Sequence, residues 1–157
     1  MSPRLKFEEY SQEHIKKLVE LSYTKTSIEP KLKHLIDIRA SQINGCGFCL
    51  DMHVKEAKIH GERELRLYHV SIWRESNLFT EKERAALEWT EALTNVTNHA
   101  AVDAALPKLK EQFNEKEICD LTFIIGTINL WNRLNVAAEN TPGSKDTMYG
   151  LDKAGLS

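Results

Sequence analysis

The chain has 157 residues, with 21 Lys and Arg against 23 Asp and Glu and a net charge of −2; this is enough for one domain with a proper core and crowded for two. The lack of a basic excess argues against a nucleic-acid partner, and no apolar run approaches the ~18 to 20 residues that a membrane span needs. The opening residues Met1-Ser2-Pro3-Arg4-Leu5-Lys6 lead into mixed charge with no apolar signal core, so a cytoplasmic protein is expected.

Almost every segment reads as helix, because period-two alternation is nearly absent and only four prolines interrupt the chain. The expectation is an all-α fold of about seven helices in a single domain, 1–157. Ser11 can cap a first helix that turns Ile15, Leu18 and Val19 inward. Pro30 suits the first turn of a second helix, whose apolar positions Leu32, Leu35, Ile36, Ala40 and Ile43 follow a period near 3.6. Asn44-Gly45 is its stop, since both residues tolerate the left-handed conformation. A third helix is expected from about Cys46 to His60, closed by Gly61. The fourth carries Leu65, Tyr68, Ile72 and Trp73 on one side. Thr80-Glu81-Lys82-Glu83 is a capping box that opens the fifth. Asp103 is read as the cap of the sixth, with Leu106, Leu109 and Phe113 inward and Pro107 near its start. Asn114-Glu115-Lys116-Glu117 caps the seventh and longest, bearing Ile118, Leu121, Ile125, Ile128 and Trp131. A stripe that wide points to burial on more than one side, within the fold or at a subunit interface. From Thr141 the chain turns polar, and 141–157 is expected to be a flexible tail.

The chemistry concentrates in Cys46-Gly47-Phe48-Cys49-Leu50-Asp51-Met52-His53. On a helix, the spacing from Cys49 to His53 stacks the imidazole over the second thiol. A helix N-terminus or a nearby cation lowers a cysteine pKa from ~8.5 to between ~3.5 and ~7.5, and only the thiolate attacks a peroxide or a disulfide. Three cysteines make no disulfide framework, and in a reducing cytosol a CxxC pair reads as redox-active or metal-binding. Zinc would need four ligands; Cys46, Cys49 and His53 supply three, and His34 or His60 a fourth, but no second CxxC accompanies them. A c-type haem is excluded because Leu50, not His, follows Cys49. The bland reading of the pair is two buried, inert side chains. Glu56 lies three residues past His53 and either holds the imidazole in one tautomer or is a solvated charge. His14, His60, His69 and His99 read as surface or helix-end residues. Cys119 reads as a core residue of the last helix, and Trp73, Trp89 and Trp131 as packing.

The run Ile38-Arg39-Ala40-Ser41-Gln42-Ile43-Asn44-Gly45-Cys46-Gly47-Phe48-Cys49, followed by Asp51-Met52-His53, resembles the alkylhydroperoxidase AhpD-like branch of the carboxymuconolactone decarboxylase family. The likeness continues in Arg66-Leu67-Tyr68, Trp73-Arg74-Glu75, Glu83 to Leu93 and Ile128 to Arg133, covering about 30–138. The resemblance implies an AhpD-like helical fold assembling into a trimer or hexamer. It implies a cofactor-free, metal-free peroxidase in which Cys49 attacks the peroxide and Cys46 resolves, with an external dithiol as reductant. His53 matches the family's histidine four past the second cysteine. Where the family often carries a glutamate twelve residues before the first cysteine, this chain has His34, which would assist the proton relay; where the family has a histidine before the second cysteine, it has Phe48. Two rivals are a decarboxylase of the kind that names the family, and a non-catalytic zinc-stabilised or redox-sensing interaction protein.

Overall fold

Local chemistry sets most helix boundaries in the computed structural model, which describes residues 3–156. Met1, Ser2 and Ser157, the ends of the N-terminal segment and of the tail read above, lie outside the described residues. Among the described residues there are nine α-helices and no strand: α1 (Phe7–Tyr10), α2 (Gln12–Ser22), α3 (Pro30–Asn44), α4 (Gly47–Ile59), α5 (Glu64–His69), α6 (Glu81–Thr94), α7 (His99–Gln112), α8 (Glu115–Ala138) and α9 (Asp146–Tyr149). Short 3₁₀ turns at Val70–Ile72 and Leu151–Ala154 extend α5 and close the chain. The seven helices expected from the sequence are α2 to α8; α1 and α9 are additional single turns.

Pro30 begins α3, where its missing N–H costs nothing. Gly45 ends it with φ 65°, a left-handed conformation that glycine adopts without a Cβ penalty. Both capping boxes form. The Glu83 N–H donates to Thr80 Oγ1 at 3.2 Å and the Thr80 N–H to Glu83 at 2.8 Å; the Asn114 and Glu117 pair repeats this at 3.0 and 2.9 Å.

Two expected starts differ. Ser11 precedes α2 but its side chain makes no cap hydrogen bond. The start of α7 is earlier than Asp103, because Asn98 accepts the Ala101 N–H at 3.2 Å and opens the helix at His99. Pro107 therefore lies inside α7.

The centre of the core is α3, which packs on α4, α6 and α8. Its Leu35, Ile36 and Ile38 are fully buried with Leu87 of α6, Leu109 of α7 and Leu121 of α8. Of the four residues expected on one side of α5 and the turn after it, Trp73 is buried but Leu65, Tyr68 and Ile72 are exposed; the buried set is Leu67, Val70 and Trp73. That buried set recurs every three residues, the period of the 3₁₀ turn into which α5 tightens, so a 3.6 stripe drawn from Leu65 is out of phase. On α8, Leu121, Ile124, Ile125 and Ile128 face inward while Phe123, Leu130 and Val136 are exposed.

The segment read as a flexible tail folds back onto α4. The Gly143 N–H donates to Asp51 Oδ2 at 2.9 Å, and Leu151 and Ala154 are buried. Lys55 of α4, only 5% exposed, donates to Asp51 at 2.8 Å and to Asp146 at 2.7 Å. Burial disfavours its charge, but its hydrogen bonds to Asp146 and Asp51 outweigh that and raise its pKa. The segment is polar in composition because it closes on a buried ion pair rather than on an apolar stripe.

A candidate dithiol site

The turn between α3 and α4 builds the site. Gly45 reverses the chain, and the Cys46 N–H donates back to Ser41 O at 3.0 Å. Cys46 is thereby placed as the N-cap of α4, where its Sγ accepts the Cys49 N–H at 3.3 Å. The two sulfurs are bonded to each other, with the Cα atoms 5.3 Å apart. Both side chains are buried, Cys46 at 2% and Cys49 at 1% exposure, among Phe48 and Met52. Gly47 between them lies under the returning segment: a Cβ there would sit 3.5 Å from Pro142 Cγ.

One turn beyond Cys49, His53 is buried on the same helix. Its Nδ1 is 2.8 Å from Glu56 Oε2 and 3.8 Å from Asp37 Oδ2 of α3. Burial would raise the Glu56 pKa, but the hydrogen bond with His53 and the charges of His53, His34 and Lys33 hold it below the usual carboxylate range. Asp37 is 1% exposed and receives a hydrogen bond from Lys33 Nζ at 2.6 Å. Burial opposes the Lys33 charge and Asp37 supports it, and the net effect raises the lysine pKa.

His34 is not hydrogen-bonded to His53 or to either cysteine. Its Nε2 lies 2.8 Å from His60 Nδ1, with ring centroids 5.0 Å apart, and its buried Nδ1 has no partner among the described residues. Burial, with smaller contributions from His60 and Lys33, lowers the His34 pKa despite Glu56 and Asp37. His60, read as a surface histidine, is exposed yet serves as the partner of His34. Among the described residues, no group of three or more His, Cys, Asp or Glu side chains is arranged to hold a metal ion.

On the other side of the turn the contacts are made by amides and a hydroxyl, with the charged Arg133 donating to Asn129 Oδ1 at 3.1 Å. Asn44 Nδ2 donates to Asn129 Oδ1 at 3.0 Å and to Asn132 Oδ1 at 2.9 Å, both on α8. Asn132 donates to Ser41 Oγ at 3.0 Å, and Ser41 donates to the Asp37 carbonyl at 2.7 Å. Cys119, expected in the core, is exposed on α8; it follows Ile118 on a helix apolar nearly all round, where composition does not reveal which side is inside.

The structure brings Cys46, Cys49, His53 and Glu56 together on the N-cap and first three turns of α4 and turns His34 toward His60. Asp37 was missed from the sequence. Its position three residues past His34 puts it on the same face of the helix, which was the available signal.

Residues 10–92 match the sequence profile described as "Carboxymuconolactone decarboxylase family". YdfG, an uncharacterised protein of Bacillus subtilis, is 38% identical over 147 residues, covering 92% of this chain and 100% of that one. YnjA, an uncharacterised protein of Escherichia coli, is 34% identical over 120 residues, 76% of this chain and 65% of that one. A crystal structure of an Agrobacterium tumefaciens protein of unknown function, put forward as the antioxidant defence protein AhpD, superposes with a TM-score of 0.84 at 39% identity, over 89% of this chain and 97% of that chain.

Proposed function

The chain belongs to the carboxymuconolactone decarboxylase family, and within it we propose a thiol-dependent peroxidase that reduces hydrogen peroxide or alkyl hydroperoxides through Cys46 and Cys49. The observation that carries this reading is the bonded pair at the opening of α4 with a carboxylate-held imidazole one turn further along. In the reduced protein, His53 takes the Cys49 proton and the thiolate attacks the outer peroxide oxygen. The O–O bond breaks, the alkoxide leaves as the alcohol with that proton, and Cys49 becomes a sulfenic acid. The Cys46 sulfur attacks Cys49, water leaves, and the disulfide forms. An external dithiol restores both thiols and is itself oxidised to a disulfide. The cycle needs no metal and no prosthetic group. His34, paired with His60 and with its charge disfavoured by burial, assists from α3 without a direct hydrogen bond to His53.

Two effects compete over which sulfur attacks. The Cys49 N–H on Cys46 Sγ and the helix N-terminus favour a Cys46 thiolate. The imidazole one turn past Cys49 favours Cys49. With Cys46→Ser, peroxide should leave a trappable sulfenic acid on Cys49; trapping it on Cys46 in Cys49→Ser alone would reverse the roles. In the wild type, mild peroxide should remove two hydrogens from the peptide holding both cysteines. Oxidation confined to Cys119 would overturn the peroxidase reading. The exposed Phe123, Leu130 and Val136 on α8 support a homo-oligomer, trimer or hexamer; light scattering at the monomer mass of 18.0 kDa at micromolar concentration would count against it.

A further inference from the structure

Asp37 is the most deeply buried carboxylate of the site, and nothing in the peroxidase cycle uses it. It is 1% exposed and faces two cationic or potentially cationic groups: Lys33 Nζ at 2.6 Å and His53 Nδ1 at 3.8 Å. We propose that Asp37 is a positioning residue for His53. Its charge, partly neutralised by Lys33, sets the proton affinity of the imidazole, while Glu56 fixes its orientation by a direct hydrogen bond.

The division of labour follows from distance and burial. Glu56 is close enough to hydrogen-bond, at 2.8 Å, but its side chain is 33% exposed, so water screens its charge. Asp37 is too far to hydrogen-bond, but its side chain is 2% exposed and it acts through a less polar medium, where charge reaches further. A carboxylate at this range favours the protonated imidazole. Lys33, with a side chain 37% exposed, works against it at the same carboxylate oxygen, Oδ2. The other groups that face the cluster are His34 on α3, His60 at the end of α4, and Tyr23 just after α2, which acts on Lys33. Asp51, Lys55 and Asp146 form their own triad against the returning segment.

Asp37 is also placed by the fold. Its carbonyl accepts the Ser41 hydroxyl, and Ser41 is in turn held by Asn132 of α8. The backbone that carries Asp37 is thus tied to α8 by uncharged contacts, while the carboxylate itself is held by Lys33 at 2.6 Å.

The role of Asp37 in catalysis rests on the peroxidase reading, but its effect on His53 does not, so the test reads His53 first without peroxide. The imidazole titration is followed by NMR in the wild type, Asp37→Asn and Lys33→Met. Asp37→Asn keeps the shape and an acceptor for Lys33; it should lower the His53 midpoint by about one pH unit, tenfold in proton affinity, the low end for a lost charge at this range because Lys33 already offsets part of it. Lys33→Met removes the offset and should raise the midpoint. Shifts of opposite sign are something a merely structural role would not produce. A midpoint unmoved in both variants, or moved the same way in both, overturns the proposal. Should Asp37→Asn fail to fold, an unraised midpoint in Lys33→Met overturns it alone. The acid limb of Cys49 oxidation should then follow the NMR midpoint. If wild-type Cys49 does not react with peroxide at all, the peroxidase reading falls while the titration result stands.

Discussion

The dithiol turn has two polar flanks built on different chemistry. Toward α8, Asn44, Asn129, Asn132 and Ser41 form a chain of neutral hydrogen bonds. Along the facing surfaces of α3 and α4, Lys33, Asp37, His53, Glu56, His34 and His60 form a titratable cluster. In the first, Asn129, Asn132 and Ser41 are buried; in the second, Asp37, His53 and His34 are buried and His60 is exposed. An amide network keeps its geometry at any ordinary pH, so the first flank can hold the backbone of the turn. The second is made of ionisable side chains, groups that bind and release protons, so it can serve proton transfer. A site that must both keep two sulfurs in register and move protons separates the tasks between its two sides.

The largest effect should come from breaking the neutral flank. Asn132 is fully buried, and its loss leaves Asn44 and Ser41 each short of a partner. Asn132→Ala should cost about 3 kcal/mol, the range for orphaned buried polar groups plus a small cavity, and lower Tm by ~6 to 12 °C for a chain of this size. Because no member of that network titrates, the loss should be the same at pH 5 and at pH 8. Chemical denaturation at both pH values measures it, and a loss that grows as pH falls would merge the two flanks into one.

The turn itself and the His53–Glu56 pair of the charged flank were legible in the sequence, and the amide network of the neutral flank was not. Asn44-Gly45 announces a helix stop, and Cys46 to His53 announces a dithiol with an imidazole, because these signals are local: a left-handed turn and an i to i+4 stack. The two capping boxes at Thr80 and Asn114 are local as well and form as read. The pairing of His34 with His60 joins residues 26 apart, and Asp37 reaches His53 across two helices, contacts set by how α3 and α4 pack and not by any spacing. The returning segment escaped for a related reason. What holds it is Lys55 between Asp51 and Asp146, and Asp146 is 91 residues from its partner. The buried face of α5 was misplaced because its chain tightens to a 3₁₀ turn.

A smaller effect belongs to the charged flank. Burial holds the folded-state pKa of His34 below its ordinary value, so between ~6.5 and that lower value the unfolded chain binds the proton and the folded one does not. Stability therefore rises with pH across this window and is lost as pH falls through it. His34→Gln cannot titrate there, so its unfolding free energy should fall less than that of the wild type between pH 7 and pH 5. Glu56 marks a separate window. Its depressed pKa contributes stability above the unfolded carboxylate value of ~4.3, lost as pH falls below it, and His34→Gln should leave most of that acid limb in place. Denaturant midpoints at pH 7.5, 6, 5 and 4 resolve the two; equal slopes for wild type and His34→Gln between pH 7 and 5 would remove His34 from the balance.

The smallest effect should be at the third cysteine, and it sharpens the comparison because Cys119 lies in neither flank. It is free and exposed on α8. Its neighbour Asp120 is held by Lys116 and Ser27, and that local pairing does not involve the thiol. Replacing an exposed thiol with a hydroxyl removes no buried contact and no cap, the mechanisms behind large mutational losses. Cys119→Ser should therefore change stability by less than about 0.5 kcal/mol, the usual scale of such surface changes. It should also leave the loss of two hydrogens at Cys46 and Cys49 unchanged after mild peroxide, because the partner of each sulfur is the other. The same protein gives the cleaner assay: with Cys119 gone, every thiol counted before and after peroxide belongs to the α4 pair. Thiol titration of Cys119→Ser should show two groups in the reduced protein and none after oxidation. Two thiols persisting after peroxide would mean that the sensitive sulfur in the wild type was Cys119.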